Sequence, residues 1–340
     1  MVYDMKHDDI LVTVITCVYN TPIEYLKEAV NSILNQTHAN FEYFIVDDGS
    51  DTDLYTDEIF SDKRIKIIRL QKNSGPAAAR NVAFDMAKGK YVAIMDSDDV
   101  SLPNRFERQI AFMEDNTDVA ACGSWFTYFG DKSNEVERNI DDNEYYRACL
   151  LFGNYPTLIY PSVMLRRSSL EEHSIRLDER LRKGEDYKMW VQLSRFGRCT
   201  NIHECLFRYR VHMNQTSQKL RTKDISPYDW MVMGEQYDSM GVRFSSEEEK
   251  VMQKDFRSTD VDPYEYRLIL DKILEANKQS GFFVQEKLEK RVEEQWEQKI
   301  YNTKLKKLLA LMKKVPKEER KKIIKIERKR FLKKIGIKAD

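Results

Sequence analysis

Three carboxylates, Asp96, Asp98 and Asp99, follow directly on the apolar run Tyr91 to Met95. Such a run, closed by a turn signal, reads as a buried strand. Carboxylates at its exit belong to the crevice beyond the carboxyl ends of the strands, where open α/β sheets bind ligands. Hard oxygen donors at this spacing suit Mg²⁺ or Mn²⁺, ions that take one or two protein carboxylates and fill the rest of their shell with phosphate oxygens and water. The competing reading is an acidic turn that leads into the next helix, with Pro103 in its first turn.

The elements that must position this cluster precede it. Leu11 to Val18 is β-branched and apolar, a central strand ending at Tyr19-Asn20. Thr21 and Pro22 then serve as N-cap and first turn of a helix whose Leu26, Ala29, Val30, Ile33 and Leu34 keep helical spacing. A second strand, Phe41 to Val46, runs into Asp47-Asp48-Gly49-Ser50-Asp51, an acidic corner able to accept from a ribose or base, or a plain Asp-Gly turn. A third, Ile65 to Leu70, leads through Asn73 and Gly75 to a helix over 77–87 that carries Arg80. Backbone N–H groups at that helix start, with the guanidinium, suit a diphosphate. The G-x-x-x-x-G-K-[ST] phosphate loop of ATPases and GTPases is absent. Strand and helix alternating over this span predict a parallel sheet wrapped by helices.

The ordered segments ITCVYN (15–20), SILNQTHANFEYFIVDDGSD (32–51), NSGPAAARN (73–81) and MDSDD (95–99) resemble the family 2 glycosyltransferases of GT-A fold. LRKGEDYKMWVQLSRFG (181–197) is similar to the segment in which those enzymes carry a catalytic base, and Asp186 of the Glu185-Asp186 pair matches it. Gly184 breaks the chain before a helix whose Met189, Trp190, Leu193 and Phe196 are expected to face inward. FRYRVHMNQTSQ (207–218) looks like the end of the catalytic domain, where His212 matches a histidine that joins metal or diphosphate; a lone histidine near a strand end is also often structural.

The resemblance implies an inverting, Mn²⁺- or Mg²⁺-dependent enzyme that moves a hexose from a UDP-sugar to a saccharide acceptor, lipid-linked, in bacterial lipopolysaccharide or capsule synthesis. Asp186 would be the base. The metal would lie on Asp98 with Asp96 or Asp99, and on His212, with Arg80 supporting the diphosphate. Uridine would be held by Asp47 or Asp48 and by the chain around Cys17, Val18 and Tyr19. Asn73, Gly75, Asp96, Ser97 and Glu185 complete the expected donor site. Trp125, Tyr155 and Tyr160 are aromatic candidates for stacking on a sugar, or core residues.

The 340 residues carry a formal net charge of zero, unevenly placed. Residues 303–340 hold 16 Lys or Arg against 4 acidic residues, a net +12 that offsets −12 over the rest. A catalytic domain over 1–223 (nucleotide half 1–100, acceptor half 101–223) and a helical region over 224–340 are expected, with a basic amphipathic tail from about 303. In that tail Leu305, Leu308, Leu309 and Met312 form one apolar stripe, and Ile324, Phe331 and Ile335 continue another. Such helices suit an anionic membrane surface, or packing in a bundle or homodimer. No apolar run approaches the ~18 residues of a spanning helix, which points to a cytoplasmic protein, peripheral at most on the membrane's inner face. Five cysteines without a C-x-x-C pair read as small buried hydrophobes of a reducing compartment. The tail shows no recognition motif for nucleic acid, so that partner is not expected. A nucleotide-sugar binder without activity would need the loss of an acidic motif residue, and none is missing.

Overall fold

Runs of β-branched and aromatic residues become the strands of a mixed sheet in the computed structural model, which describes residues 7–52, 55–131, 133–153, 158–213, 225–254 and 258–334, with side chains to 330. The chain divides into two compact units, 1–146 with 155–219, and 147–154 with 220–340.

The first unit opens with β1 (Val12–Val18), α1 (Ile23–Leu34), β2 (Phe41–Asp47), β3 (Ile65–Arg69), α2 (Pro76–Met86) and β4 (Tyr91–Asp96). It continues with β5 (Val100–Ser101), α3 (Arg105–Asp115), β6 (Val119–Gly130) and β7 (Asn134–Val136). After α4 (Asn143–Leu150), which is shared between the units, come β8 (Met164–Arg166), α5 (Arg167–Glu172), α6 (Glu185–Leu193) and β9 (Arg198–Val211). Among the described residues these strands form one sheet in the order β3-β2-β1-β4-β8-β6-β9-β5, with β7 on β6. Strands β3, β2, β1 and β4 are mutually parallel, as the alternation predicts. Beyond β4 the sheet is mixed, because β8 joins it antiparallel to both β4 and β6. The register of β6 against β9 shifts between Val119 and Ala121 and around Trp125, irregularities of the kind that bend strands.

Strands β1, β2 and β4 are buried along nearly their whole length, whereas the edge strand β3 is partly exposed, and polar residues inside the buried strands find partners. Thr13 donates to Glu42, and Thr16 shares a hydrogen bond with Tyr43. Two local expectations are revised. Thr21 does not cap α1; Pro22 holds the cap position and Thr21 Oγ1 lies 2.7 Å from Ser97 Oγ. Phe196 is 54% exposed because α6 ends at Leu193, one turn before it, while Met189, Trp190 and Leu193 are buried as expected.

Where β4 and β8 meet, Arg105 is completely buried and, among the described residues, has no carboxylate partner in hydrogen-bond reach. Its guanidinium donates to Ile94 O at 2.9 Å and Val163 O at 3.1 Å, and to Gln109, whose amide reaches Cys122 O and Ser162 O. This pair brings side-chain donors to backbone carbonyls near the acidic turn, one of which, Val163 O, also accepts the Ile94 N–H at 2.9 Å.

The second unit is helical: α7 (Pro227–Ser239), α8 (Ser246–Met252), α9 (Pro263–Ser280), α10 (Gln285–Asn302), α11 (Leu305–Lys314) and α12 (Lys317–Lys334). Ser245 and Glu248 form a capping box at α8, Asp262 caps α9 ahead of Pro263, and Pro316 immediately precedes α12. Leu270, Ile273, Leu288, Val292, Trp296 and Leu308 are fully buried. The expected stripe on α11 is split. Leu308 and Leu311 face the core, whereas Leu305 and Leu309 are 61% and 51% exposed. On α12 it is Ile323 that is buried and Ile324 that is exposed; the side chain of Phe331 and all of Ile335 lie outside the described residues.

Replacing Arg105 with Met, of similar length but without donors, removes the guanidinium from Ile94 O and from Val163 O, the latter still accepting the Ile94 N–H at 2.9 Å. The expected loss is about 1–3 kcal/mol of unfolding free energy, the usual cost of depriving a buried polar group of its partner. Urea denaturation checks it, and a wild-type midpoint would show that the sheet satisfies these carbonyls without Arg105.

Candidate functional site

The site lies at the carboxyl ends of β1, β2 and β4, and its first connection is between the exits of β1 and β2. Asn20, at a positive φ of 50°, exchanges two side-chain hydrogen bonds with Asp51 and donates its N–H to Ser50. Tyr19, just before it, is left 49% exposed, an aromatic surface at the rim. Cys17 and Val18 lie beneath it in the strand, and burial raises the Cys17 thiol to about 12, so it is neutral and no nucleophile. Cys122, Cys149 and Cys199 are buried; Cys17 and Cys205 are only half-buried, a partial departure from the sequence reading.

The two acidic residues after β2 do different things. Asp47 is fully buried, accepts from Ser50 N–H at 2.8 Å and faces Arg69 at 3.6 Å. Asp48 takes the N–H groups of Ser74 and Gly75 on its two oxygens, at 2.7 and 2.9 Å. These amides at the start of α2, expected to cradle phosphate, are therefore engaged by Asp48, and Pro76 has none to offer. Asn73 is exposed beside them.

Arg80, on α2, joins distant parts of the chain. One terminal nitrogen donates to Asp96 at the end of β4 and the other to Glu185 at the start of α6, each at 3.0 Å. The ring of Tyr160 lies 4.6 Å below the guanidinium carbon. Tyr160 is thereby buried against Arg80 and Trp190 and does not present a face for stacking on a sugar. Trp125 stacks on His203, and Tyr155 lies outside the described residues. Burial raises the Asp96 carboxyl above its usual range, and the Arg80 guanidinium in contact with it opposes that shift.

Asp186 follows Glu185 in the first turn of α6, partly buried, with Tyr187 N–H on its Oδ1 at 2.8 Å. Gly184 precedes them in the left-handed region (φ 74°), which a side chain would disfavour, and sets the direction in which α6 starts. The loop leading here is anchored by Asn81, whose amide clasps Leu177 N–H and C=O, and by Asp178, which binds Arg180 and Lys188.

The acidic turn 96–99 is organised by a residue the sequence reading did not single out. Arg210 on β9 gives its N–H to Asp99 at 2.7 Å and its Nε to Asp98 O at 2.6 Å, while its guanidinium stacks over Tyr25 and pairs with Glu28. Two residues on, His212 Nε2 reaches Asp98 Oδ2 at 2.9 Å. Residues i and i+2 of a strand share a face, and that spacing was the available signal. The expected set Asp96, Asp98, Asp99 and His212 does not come together as one cage. Asp96 turns to Arg80, and Asp99 is buried on Arg210, its carboxyl pushed well above the usual range by burial and then by Asp98 and Asp96. Among the described residues no three His, Cys, Asp or Glu side chains form a ready-made metal site. Asp98 and His212, both partly exposed, are the pair that meets.

Comparison with known proteins bears on the family and the fold. The family model described as Glycosyl transferase family 2 matches residues 13–174. An uncharacterized glycosyltransferase of Methanocaldococcus jannaschii is 34% identical over 211 residues, covering 60% of this chain and 72% of its own length. One from Haemophilus influenzae is 34% identical over 223 residues, covering 61% and 67%. The crystal structure of residues 1–349 of S. aureus TarS in complex with UDP-GlcNAc superposes with a TM-score of 0.58 at 17% identity, covering 96% of this chain and 93% of that one. The fold expected from the motifs, GT-A with a helical C-terminal region, is the fold this structure shares.

Asp178 offers a test of how the α6 loop is held. Arg180, then Lys188, keep its carboxyl well below the usual carboxylate range. A depressed carboxylate stabilises the fold fully above its unfolded value, about pH 4, and the contribution is lost as pH falls below that. Asp178→Asn should therefore lower the melting temperature near neutrality, with the gap from wild type closing on acidification. A gap that is independent of pH would mean that charge at Asp178 is not what anchors the loop.

Proposed function

This chain belongs to glycosyltransferase family 2, and on that premise we propose that it moves a hexose from a UDP-sugar to a hydroxyl of a saccharide acceptor, with inversion at the anomeric carbon. One observation carries this reading: Arg80 ties Asp96, at the end of the nucleotide-side strand β4, to Glu185, the neighbour of Asp186. A donor-side carboxylate and a prospective base are thus held at a fixed spacing on one edge of the sheet.

In this scheme Tyr19 stacks on uracil, the chain at Cys17–Val18 lines the base, and Asp48 accepts from it. Asp48 is preferred to Asp47 because Asp47 is sealed in its turn, whereas each Asp48 oxygen keeps a second lone pair beside the exposed loop. Asn73, Gly75, Asp96 and Ser97 border the rest of the donor, and Arg80 with Glu185 frames it. The acceptor oxygen attacks the anomeric carbon as the bond to UDP breaks. The bonding pair leaves with UDP, and the acceptor proton passes to Asp186. A positioned carboxylate base contributes ~10²–10⁴-fold.

Asp98 and His212 would hold Mn²⁺ or Mg²⁺. One carboxylate and one imidazole, both reachable by solvent, fit an ion that completes its shell with donor phosphate oxygens and water. Such an ion supplies charge neutralisation on the departing diphosphate. UDP-GlcNAc, the ligand in the TarS complex, is the first donor to try. The lysine-rich α11 exposes Leu305 and Leu309, which supports contact with an anionic bilayer and with a lipid-linked acceptor of bacterial surface polysaccharide. In this reading residues 1–223 form the catalytic domain and 224–340 the accessory helical one. Among the described residues no helix is long and apolar enough to cross a membrane.

Asp186→Asn should abolish transfer, followed as UDP release with Mn²⁺ and a panel of acceptors, while UDP still raises the melting temperature as in wild type. Wild-type turnover in this variant would remove Asp186 from the base role. For the surface, Leu305→Glu with Leu309→Glu should abolish co-sedimentation with phosphatidylglycerol vesicles and leave UDP binding intact. Unchanged sedimentation would assign these helices to protein packing instead.

A further inference from the structure

We propose that Arg182 is the cationic contact for the diphosphate of the nucleotide donor, a role that rests on reading the cleft as a UDP-sugar site. Other groups that could contact a diphosphate are already engaged. Arg80, the cation the motifs offered for this purpose, has a carboxylate on each terminal nitrogen. The N–H groups of Ser74 and Gly75 are bonded to Asp48, and Pro76 lacks one. Around them stand Asp96, Asp98, Glu185 and Asp186, an excess of negative charge into which a diphosphate would bring more.

Arg182 is exposed, and among the described residues nothing pairs with its guanidinium. Its head rests on the loop at the start of α2. A Cβ placed on Gly75 would stand 2.6 Å from one terminal nitrogen and 3.4 Å from the guanidinium carbon. The absence of a side chain at position 75, where φ is 97°, is what lets the guanidinium lie there.

The segment that presents Arg182 is fixed on both sides. Asn81, the neighbour of Arg80 on α2, clasps Leu177, and Asp178 holds Arg180 and, across the loop, Lys188 of α6. An unpaired guanidinium projecting from such an anchored loop matches phosphate oxygens well, because its planar fork can donate two parallel hydrogen bonds. Arg180, two residues earlier, has its charge taken by Asp178 and serves as the control.

The test is affinity for UDP, UMP and uridine at constant Mg²⁺, by calorimetry for the nucleotides and ligand-observed NMR for the nucleoside. Arg182→Ala should weaken UDP binding about 10- to 100-fold, the usual scale for a charge-assisted hydrogen bond. UMP should be affected less and uridine not at all. Arg182→Lys should recover part of the loss, Arg180→Ala should bind UDP as wild type does, and the melting temperature of unliganded Arg182→Ala should stay near wild type. UDP affinity unchanged in Arg182→Ala, or lost in equal proportion with uridine, would overturn the assignment and leave the nucleotide site standing. Wild-type protein that binds no UDP would overturn the nucleotide reading itself and this proposal with it.

Discussion

A buried guanidinium between two carboxylates is the constraint on which the rest of this site depends. Arg80 sits on α2, Asp96 ends β4 and Glu185 begins α6, so three elements that are remote in sequence meet on one cation. Taking such charges out of water is costly and is offset only by good geometry and complete pairing. Tyr160 closes the open face of the guanidinium and keeps water from competing with its two partners. The position of Asp186 follows from this, since it is the next residue after one of those partners and Gly184 sets the direction of its helix.

The second arrangement is a division of labour among carboxylates. Asp47 and Asp99 are turned inward, one stabilising its own turn and the other fastening β9 through the Arg210 amide. Asp48 orders the loop in front of α2. Asp98, beside His212, and Asp186, at the start of α6, are only partly buried. An acidic cluster that looks uniform as letters is mostly scaffold, and the scaffold members hold the others at fixed spacing.

How much of this could be read from the chain alone depends on the range of the interaction. The four parallel strands were legible because each is an apolar run closed by turn residues, and the acidic residues at their ends could be named individually. The antiparallel insertion of β8 and the pairing of β6 with β9 were not, since they rest on contacts between distant segments that no local period encodes. The same holds for Arg80 with Glu185, 105 residues apart, and for Arg210 with Asp99, 111 apart. Motif similarity singled out the segment 181–197, yet it could not say that Asp48 would take the amides of the loop before α2. On α11 the helical period was right and the facing was not, because a helix with leucines on more than one side does not declare which side a neighbour will cover.

Arg80 and Asn81 are consecutive on α2 and point to different partners, one to the sheet's edge and α6, the other to the loop ahead of α6. Each step along a helix rotates the next side chain by about 100°. Adding or deleting a single residue between Gly75 and Arg80 would swing both away together, although every contact elsewhere in the sheet stayed intact. The number of residues in this stretch therefore sets where both side chains arrive.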